Sequence, residues 1–271
     1  MPSLPIYQVD AFTDRPFAGN PAAVCPLQAP IPDALMQAIA AENNLSETAF
    51  LLTDGNAFAL RWFTPTVEVD LCGHATLATA FVLMTEIDPG RHGVTFRSRS
   101  GLLHARRGVD QEFVLDFPAA PPARVDGKTA AQVSQMVDTP PVEVLRAPVG
   151  TLLAVLPDAG AVRRAKPNLA AIAQSGTALC ITAAGDGEPA DAAPVDFVSR
   201  YFAPAHGIDE DPVTGSAHCF LTPYWATRLG KQKLRARQVS RRGGELSCAP
   251  AGDRVLIGGQ ARLVITGTLR Y

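Results

Sequence analysis

The hydrophobic pattern of the chain is densest at residues 71–84, LCGHATLATAFVLM, where small and apolar residues leave no polar face. A helix that is hydrophobic on every side has no surface to present to water and must lie inside the protein. Gly73 lets the backbone approach another group closely, and the free N–H groups and dipole of a helix start favour an anion. The pattern predicts a buried helix near residues 74–87 whose N-terminus faces a negatively charged ligand.

A second stretch of the chain repeats this pattern. The segment RWFTP at 61–65 recurs as RYFAP at 200–204, and GHA at 73–75 aligns with GSA at 215–217. The offset is roughly 140 residues, and a fixed internal offset indicates a duplicated unit. The sequence therefore predicts two similar halves, the second with its own central helix near 215–229, and both helix starts at a shared cleft.

Most of the remaining pattern is typical of strands. Apolar and polar residues alternate at 6–12, and short β-type runs separated by turn residues continue to the end of the chain. Strands that outnumber helices and pair locally favour an α+β fold of two pseudo-symmetric domains, each a curved, mostly antiparallel sheet or barrel around its central helix. An Ala/Pro segment at 118–122 reads as a linker. We expect domains at 1–118 and 123–271, with a return of the last strand to the first domain as an open alternative.

Composition narrows the classes of function. Hydrophobic residues make up 47% of the 271 residues, charged residues only 18%, and the formal net charge is −2 without a basic block, which argues against a nucleic-acid partner. The five cysteines are scattered without metal-ligand spacing, so we expect reduced thiols and no metal centre. The sequence contains no dinucleotide-binding or phosphate-loop motif, so we expect no cofactor. It also shows no signal-like start and no apolar run of membrane length, so we expect a cytoplasmic protein with no membrane partner.

Four polar residues stand where chemistry is plausible. Glu47 lies in an apolar strand, where a buried charge is costly, and His74 begins the first helix. Asp211 precedes Pro212, which fixes the turn before the second helix, and Ser216 lies in that helix's first turn. Each also has a structural reading as a solvated residue, a helix cap or a turn residue. Together, a desolvated carboxylate, a histidine and two helix starts fit proton abstraction beside a substrate carboxylate.

Five motifs carry a resemblance to a known family. They are DAFT at 10–13, FAGNP at 17–21, NLSETAF at 44–50, CGHAT at 72–76 and DPVTGSAH at 211–218. In this order, over nearly the whole chain, they resemble the phenazine-biosynthesis PhzF-like isomerase family, which is similar in fold to diaminopimelate epimerase.

The resemblance implies a role for each site residue. Glu47 would be the proton shuttle and would be catalytic together with His74 and Asp211. The residues that would bind the substrate are Asn20, Gly73, Ala75, Gly215 and Ser216. It also implies a small carboxylic acid as substrate and a homodimer as the assembly.

The motifs depart from those of the epimerases at one point. Enzymes of the diaminopimelate epimerase type use two opposed cysteines, whereas here Cys72 stands at the first helix start and Val213 lies at the second. A two-thiol racemase is disfavoured because one face lacks its thiol base. The sequence predicts a cofactor-independent isomerase that moves a proton on a small hydroxylated or unsaturated amino or carboxylic acid. An epimerase or racemase of a related acid, or a non-catalytic binding protein for small molecules, are the alternatives.

Overall fold

The computed structural model of the protein describes residues 1–186 and 193–271. The chain forms two compact units. Unit 1 contains Met1–Phe117 and Leu256–Tyr271, and unit 2 contains Pro118–Val255. The C-terminal segment therefore belongs to the same unit as the N-terminus, although the linear division at the Ala/Pro segment assigns it to the second domain.

Strands dominate both units, with six helices among the described residues. The strands are β1 (Ser3–Ala11), β2 (Asn20–Leu27), β3 (Glu47–Asp54), β4 (Ala57–Phe63), β5 (Glu68–Val69), β6 (Gly93–Ser98), β7 (Gly101–Arg107), β8 (Phe113–Pro118), β9 (Ala123–Arg124), β10 (Glu143–Arg146), β11 (Leu152–Val155), β12 (Leu179–Ala184), β13 (Phe197–Ala203), β14 (Ile208–Asp211), β15 (Leu234–Gln238), β16 (Gly244–Ala251), β17 (Arg254–Gly259) and β18 (Ala261–Arg270). The helices are α1 (Asp33–Asn43), α2 (Gly73–Val82), α3 (Gly127–Ser134), α4 (Ala159–Arg164), α5 (Leu169–Ser175) and α6 (His218–Leu229).

The sheet of unit 1 is mixed. β1 lies between β18 and β2 and is antiparallel to both. β2 is parallel to β3, which is antiparallel to β4, and β4 pairs with β5 in antiparallel and with β6 in parallel orientation. β6, β7 and β8 continue as an antiparallel series. The parallel pairs occur where a helix intervenes in the chain, because a parallel connection needs a crossover.

The sheet of unit 2 repeats this order. β10 is antiparallel to β9 and β11, β11 is parallel to β12, and β12 is antiparallel to β13. β13 pairs with β14 in antiparallel and with β15 in parallel orientation, and β15 is antiparallel to β16. The series β10–β16 thus matches β1–β7 strand for strand. This repetition confirms the duplicated α+β architecture, while the two parallel pairs in each unit were not part of the prediction.

A buried helix follows β5 in unit 1 and β14 in unit 2. In α2 every residue except Phe81 is buried, and the helix continues as a π-helical turn at Leu83–Ile87. In unit 2 a 3₁₀ turn at Gly215–Ala217 leads into α6, which buries seven of its residues. The all-round apolar pattern thus correctly indicates the buried helix of unit 1, and the internal repeat correctly indicates the one in unit 2.

The remaining helices cover the sheet faces opposite α2 and α6. In unit 1, α1 packs its buried Met36 and Ile39 with Phe50 and Phe63 of the sheet. In unit 2, residues of α3, α4 and α5 form one core with strands β11, β12 and β13. Among the described residues, the helices are all too short or too polar to span a membrane.

Candidate active site

The side chains of Glu47 and His74 meet in unit 1. Glu47 is the first residue of β3, because Asn44, directly after α1, has a left-handed conformation (φ 48°) that ends the helix and turns the chain into a strand. Nε2 of His74 lies 3.0 Å from Oε2 of Glu47, and these side chains are 4% and 12% exposed. Oε2 is buried, and this close contact with His74 is the one polar contact recorded for it among the described residues. A buried polar atom with so few partners is uncommon in a folded protein and indicates a functional role.

The other ring nitrogen of His74 is held by Asn20. Nδ2 of Asn20 lies 3.1 Å from Nδ1 of His74, and Oγ of Ser46 lies 3.2 Å from Oδ1 of Asn20. Asn20 is fully buried. The sequence prediction makes Asn20 a substrate-binding residue, and the structure places its amide against the imidazole. Ser46 was missed by sequence reasoning, although it directly precedes Glu47 in the NLSETAF motif.

A tight turn places Asn20 at the start of β2. Phe17 (φ 67°) and Gly19 (φ 63°) are both left-handed, and the Phe17 N–H donates to Asp10 at 2.7 Å. A Cβ on Gly19 would lie 2.2 Å from the carbonyl oxygen of Ala11, so only glycine fits there. The FAGNP motif therefore encodes the turn that delivers Asn20 to His74.

Cys72 completes the cluster as the residue that precedes α2. Its Sγ lies 3.5 Å from Nδ1 and 4.0 Å from Nε2 of His74. Burial, with the nearby Glu47, raises the pKa of the Cys72 thiol to about 11, so the group is protonated near neutral pH. The ligand atoms of Glu47, Cys72 and His74 lie within 4.8 Å of one another, and this trio is the group of described residues able to hold a metal ion.

The surroundings of His74 shift its acidity. Burial lowers the pKa of His74, but the Cys72 sulfur and the Glu47 carboxylate together raise it well above its usual value. Since Cys72 is a thiol near neutral pH, Glu47 is the neighbour that favours the imidazolium there. An imidazolium donates from both nitrogens, so in that state Asn20 presents its amide oxygen to Nδ1.

The backbone at the start of α2 faces this cluster. The Ala75 N–H is directed at the Cys72 sulfur, and the Thr76 N–H and hydroxyl both donate to the Cys72 carbonyl. Gly73 and Ala75, which the sequence prediction assigns to substrate binding, are both buried. The first N–H groups of a helix have no partner within it, and this end of α2 is therefore electropositive.

The turn before the second helix is held by buried polar groups. The Thr214 hydroxyl donates to Oδ2 of Asp211 at 2.5 Å. Gln238 accepts from the Thr214 N–H at 2.8 Å and donates to the Asp211 carbonyl at 2.7 Å. Gln238 is fully buried, and sequence reasoning missed it because it reads as an ordinary polar residue at a strand end. The result is a fixed orientation for Asp211.

Gly215 and Ser216 lie in the 3₁₀ turn that leads into α6, and Ser216 is half-buried. The buried His218 follows, with Nδ1 at 2.9 Å from the Thr214 carbonyl. Burial lowers the pKa of His218 to about 4, although the Thr214 carbonyl opposes this, so the ring is neutral near pH 7. In unit 2, Asp211 contacts Thr214, which directly precedes Gly215 and Ser216. In unit 1, by contrast, the side chains of Asn20, His74 and Glu47 contact one another in series.

Comparison with known proteins gives the family. The profile of the family described as "Phenazine biosynthesis-like protein" matches residues 9–267. An uncharacterized isomerase of Pseudomonas aeruginosa is 52% identical over 268 residues, which is 98% of either chain. The crystal structure of a PhzF-family protein from Enterococcus faecalis matches with a TM-score of 0.91 and 44% identity, covering 100% of both chains.

A more distant likeness concerns the fold alone. A probable proline racemase from Agrobacterium radiobacter matches 99% of this chain and 92% of its own with a TM-score of 0.65 and 13% identity. This agrees with the predicted epimerase-type architecture. From the family profile and the near full-length identity to its relatives, the chain belongs to the phenazine biosynthesis-like (PhzF) protein family.

Proposed function

We propose that this protein is a cofactor-independent isomerase that moves a proton on a small hydroxylated or unsaturated amino or carboxylic acid. Relatives that are named isomerases support an isomerase-type enzyme. The observation that carries the finer proposal is the buried Oε2 of Glu47, which lies 3.0 Å from His74 and has no well-aligned partner among the described residues.

Glu47 acts as base and then as acid in this proposal. In a substrate that carries a carbon–carbon double bond, the Glu47 carboxylate takes a proton from the carbon beside the substrate carboxylate. The electrons of the broken C–H bond form a new double bond, and the electron pair of the existing double bond moves to its far carbon. The protonated Glu47 then returns the same proton to a second carbon on the same face. Atoms and charge balance without an oxidant or a cofactor, as general acid–base catalysis requires.

His74 positions Glu47. Its two ring nitrogens lie against Glu47 on one side and Asn20 on the other. The ring therefore fixes the direction in which the Glu47 carboxylate faces the substrate. Asn20 is a positioning residue here, because it is fully buried and its amide contacts the ring.

The start of α6 and the turn before it are assigned to substrate binding. Gly215 and Ser216 would bind the substrate carboxylate through backbone N–H groups and a hydroxyl, as helix starts bind anions. Asp211, oriented by Thr214 and Gln238, would bind a hydroxyl or amino group of the substrate and balance charge. Gly73 and Ala75 would contribute the electropositive start of α2. From the family resemblance we further propose that the protein acts as a homodimer in the cytoplasm.

An epimerase reaction is the second candidate, and Cys72 is the observation that favours it. Its sulfur lies 3.5 Å from Nδ1 of His74 and within 4.8 Å of a Glu47 carboxylate oxygen. Its raised pKa of about 11 makes the thiolate scarce near neutral pH, which favours Glu47 as the base.

Solvent exchange tests the proposal. The protein is incubated in deuterated buffer with a panel of small hydroxylated and unsaturated carboxylic and amino acids, and substrates are read by mass shift. An isomerase gives a product of altered bond position, an epimerase gives inverted chirality, and a pure binding protein gives neither product nor exchange. Exchange that persists unchanged in Glu47→Gln would overturn the role of Glu47.

A further inference from the structure

An arginine–glutamate pair stands before each central helix. In unit 1, Nε and Nη2 of Arg61 donate to the two carboxylate oxygens of Glu68, both at 2.7 Å. In unit 2, Nε and Nη2 of Arg200 donate to those of Glu210 at 2.7 and 3.0 Å. The same fork geometry therefore occurs twice, with the arginine on β4 or β13 and the glutamate on β5 or β14.

The contacts of the two arginines repeat in large part, although Glu68 also contacts Nη2 of Arg99 at 2.5 Å. The Arg61 guanidinium lies over the ring of Phe63 at 5.1 Å, and that of Arg200 over Phe202 at 5.0 Å. The remaining Nη1 of each binds the helix that covers the outer sheet face. Nη1 of Arg61 donates to Asp33 of α1 at 2.7 Å. Nη1 of Arg200 donates to the carbonyl of Val162 in α4 at 3.3 Å and to that of Ala165, directly after it, at 2.8 Å.

The spacing to the helix starts is also the same. Gly73 is the fifth residue after Glu68, and Gly215 is the fifth after Glu210. The short strands before the helices, β5 and β14, form few backbone pairs with β4 and β13. In unit 1 these pairs are Trp62 with Val69 and Phe63 with Glu68. A two-residue ladder holds a strand weakly, whereas a bidentate arginine–carboxylate pair fixes geometry as well as charge.

We infer that Arg61 and Arg200 are positioning residues that hold the chain segments leading to the two helix starts. Arg61 joins β4, β5 and α1, and Arg200 joins β13, β14 and the end of α4. Each arginine therefore fixes the backbone that leads to Gly73 or Gly215. Glu210 directly precedes Asp211, so the second pair also fixes the backbone that carries a proposed catalytic residue. The consequence for turnover rests on the proposed function, while the consequence for local order does not.

Hydrogen–deuterium exchange of the protein without ligand tests the local effect. Arg61→Lys and Arg200→Lys keep the charge but lose the fork. We expect amide exchange at least about fivefold faster at residues 64–76 in Arg61→Lys and at 203–217 in Arg200→Lys, because local opening becomes easier. Glu68→Asp and Glu210→Asp shorten the other partner and should give the same pattern.

A matched control exists in unit 2. Nη1 and Nη2 of Arg163 donate to both oxygens of Asp186 at 2.7 Å, but this pair does not precede a central helix. Arg163→Lys should leave exchange at 203–217 unchanged. Unchanged exchange in both test variants, or the same increase in Arg163→Lys, would overturn the inference.

Kinetics with a substrate found by solvent exchange supplies the second readout. Arg61→Lys should lower kcat about tenfold with little change in KM, because His74 then lies out of line with Glu47. Arg200→Lys should mainly raise KM by a similar factor of about ten, because the carboxylate-binding helix start is displaced. Equal losses in Arg163→Lys would show a general effect of stability and overturn the positioning role. If no substrate is found, the proposed function fails while the exchange measurements still decide the inference.

Discussion

Nε2 of His74 lies 3.0 Å from Oε2 of Glu47, so the first turn of α2 and the first residue of β3 are joined at their side chains. The pair links two segments that lie 27 residues apart in the chain (47 to 74). Asn20 extends the connection to β2 through Nδ1 of the same ring. Because Asn20 contacts His74 and His74 contacts Glu47, the role of each residue can be tested by its own substitution.

Glu47→Gln tests the proton shuttle. The amide keeps the shape and hydrogen-bonding capacity of the side chain but cannot accept and return a proton. We expect a folded protein with normal ligand binding and turnover lower by roughly a thousandfold or more. Glu47→Asp should retain slightly more activity, because the carboxylate remains but is withdrawn by about 1.5 Å. Near-normal deuterium incorporation in Glu47→Gln would assign the shuttle to another residue.

Asn20→Ala separates positioning from substrate binding. Removal of the amide leaves Nδ1 of His74 without its Asn20 contact, so the ring is no longer held against Glu47. We expect kcat to fall about tenfold to a hundredfold with KM little changed, because the reacting groups are misplaced. Steady-state kinetics checks this. If Asn20 instead contacts the substrate, KM rises and kcat is largely preserved.

Gly19→Ala tests the turn that presents Asn20. Gly19 has φ 63° and its Cβ would lie 2.2 Å from the Ala11 carbonyl, whereas Gly55 has φ 61° and nothing within 4 Å of its Cβ position. Gly55→Ala should cost about 1 kcal/mol from the left-handed backbone alone. Gly19→Ala adds a clash with the backbone and should lower the free energy of unfolding by at least about 3 kcal/mol. Denaturant unfolding of the two variants measures the difference, and equal losses would contradict the role of the close approach between Gly19 and Ala11.

His218 should make stability depend on pH. Its pKa is lowered to about 4 in the folded protein, against 6.5 as its ordinary value. Between these two values His218 binds a proton in the unfolded chain but not in the folded chain, so the free energy of unfolding falls as the pH drops from about 6.5 to about 4. The loss attributable to this residue is about 3 kcal/mol at most. Because carboxylates titrate in the same range, the measurement is the difference between the wild type and His218→Asn. The variant should lose this part of the dependence, and identical pH profiles would contradict the prediction.

The sequence predicts the central helices well because their signal is local. The run from 71 to 84 is apolar on every side, which only burial explains, and α2 with its π-helical turn covers it. The repeated RWFTP and RYFAP segments likewise identify the duplication, since each places an arginine and a phenylalanine on equivalent strands. Here a pattern of a few consecutive residues decides the structure.

The remaining features depend on strand register, which the sequence does not state. Ala22 of β2 pairs with Glu47 of β3 in parallel register, and this brings Asn20 and Ser46 into reach of each other. Gln238 reaches Asp211 and Thr214 because β15 runs parallel to β13. In both cases the partner lies tens of residues away, and periodicity gives no information on which strands are neighbours.

The pairing of β18 with β1 has a consequence for synthesis of the chain. Ser3 of β1 pairs with Arg270 of β18. β1 can therefore complete its pairing only after the ribosome has synthesised all of unit 2 and then β18. Until then β1 has an unpaired backbone edge, which is a hazard for association with other nascent chains. In unit 2 the strand that corresponds to β18 is β9, which directly precedes β10 in the chain. The pairing partner of β10 is therefore synthesised before β10 itself. The two duplicated units should therefore mature in the reverse of their order in the gene.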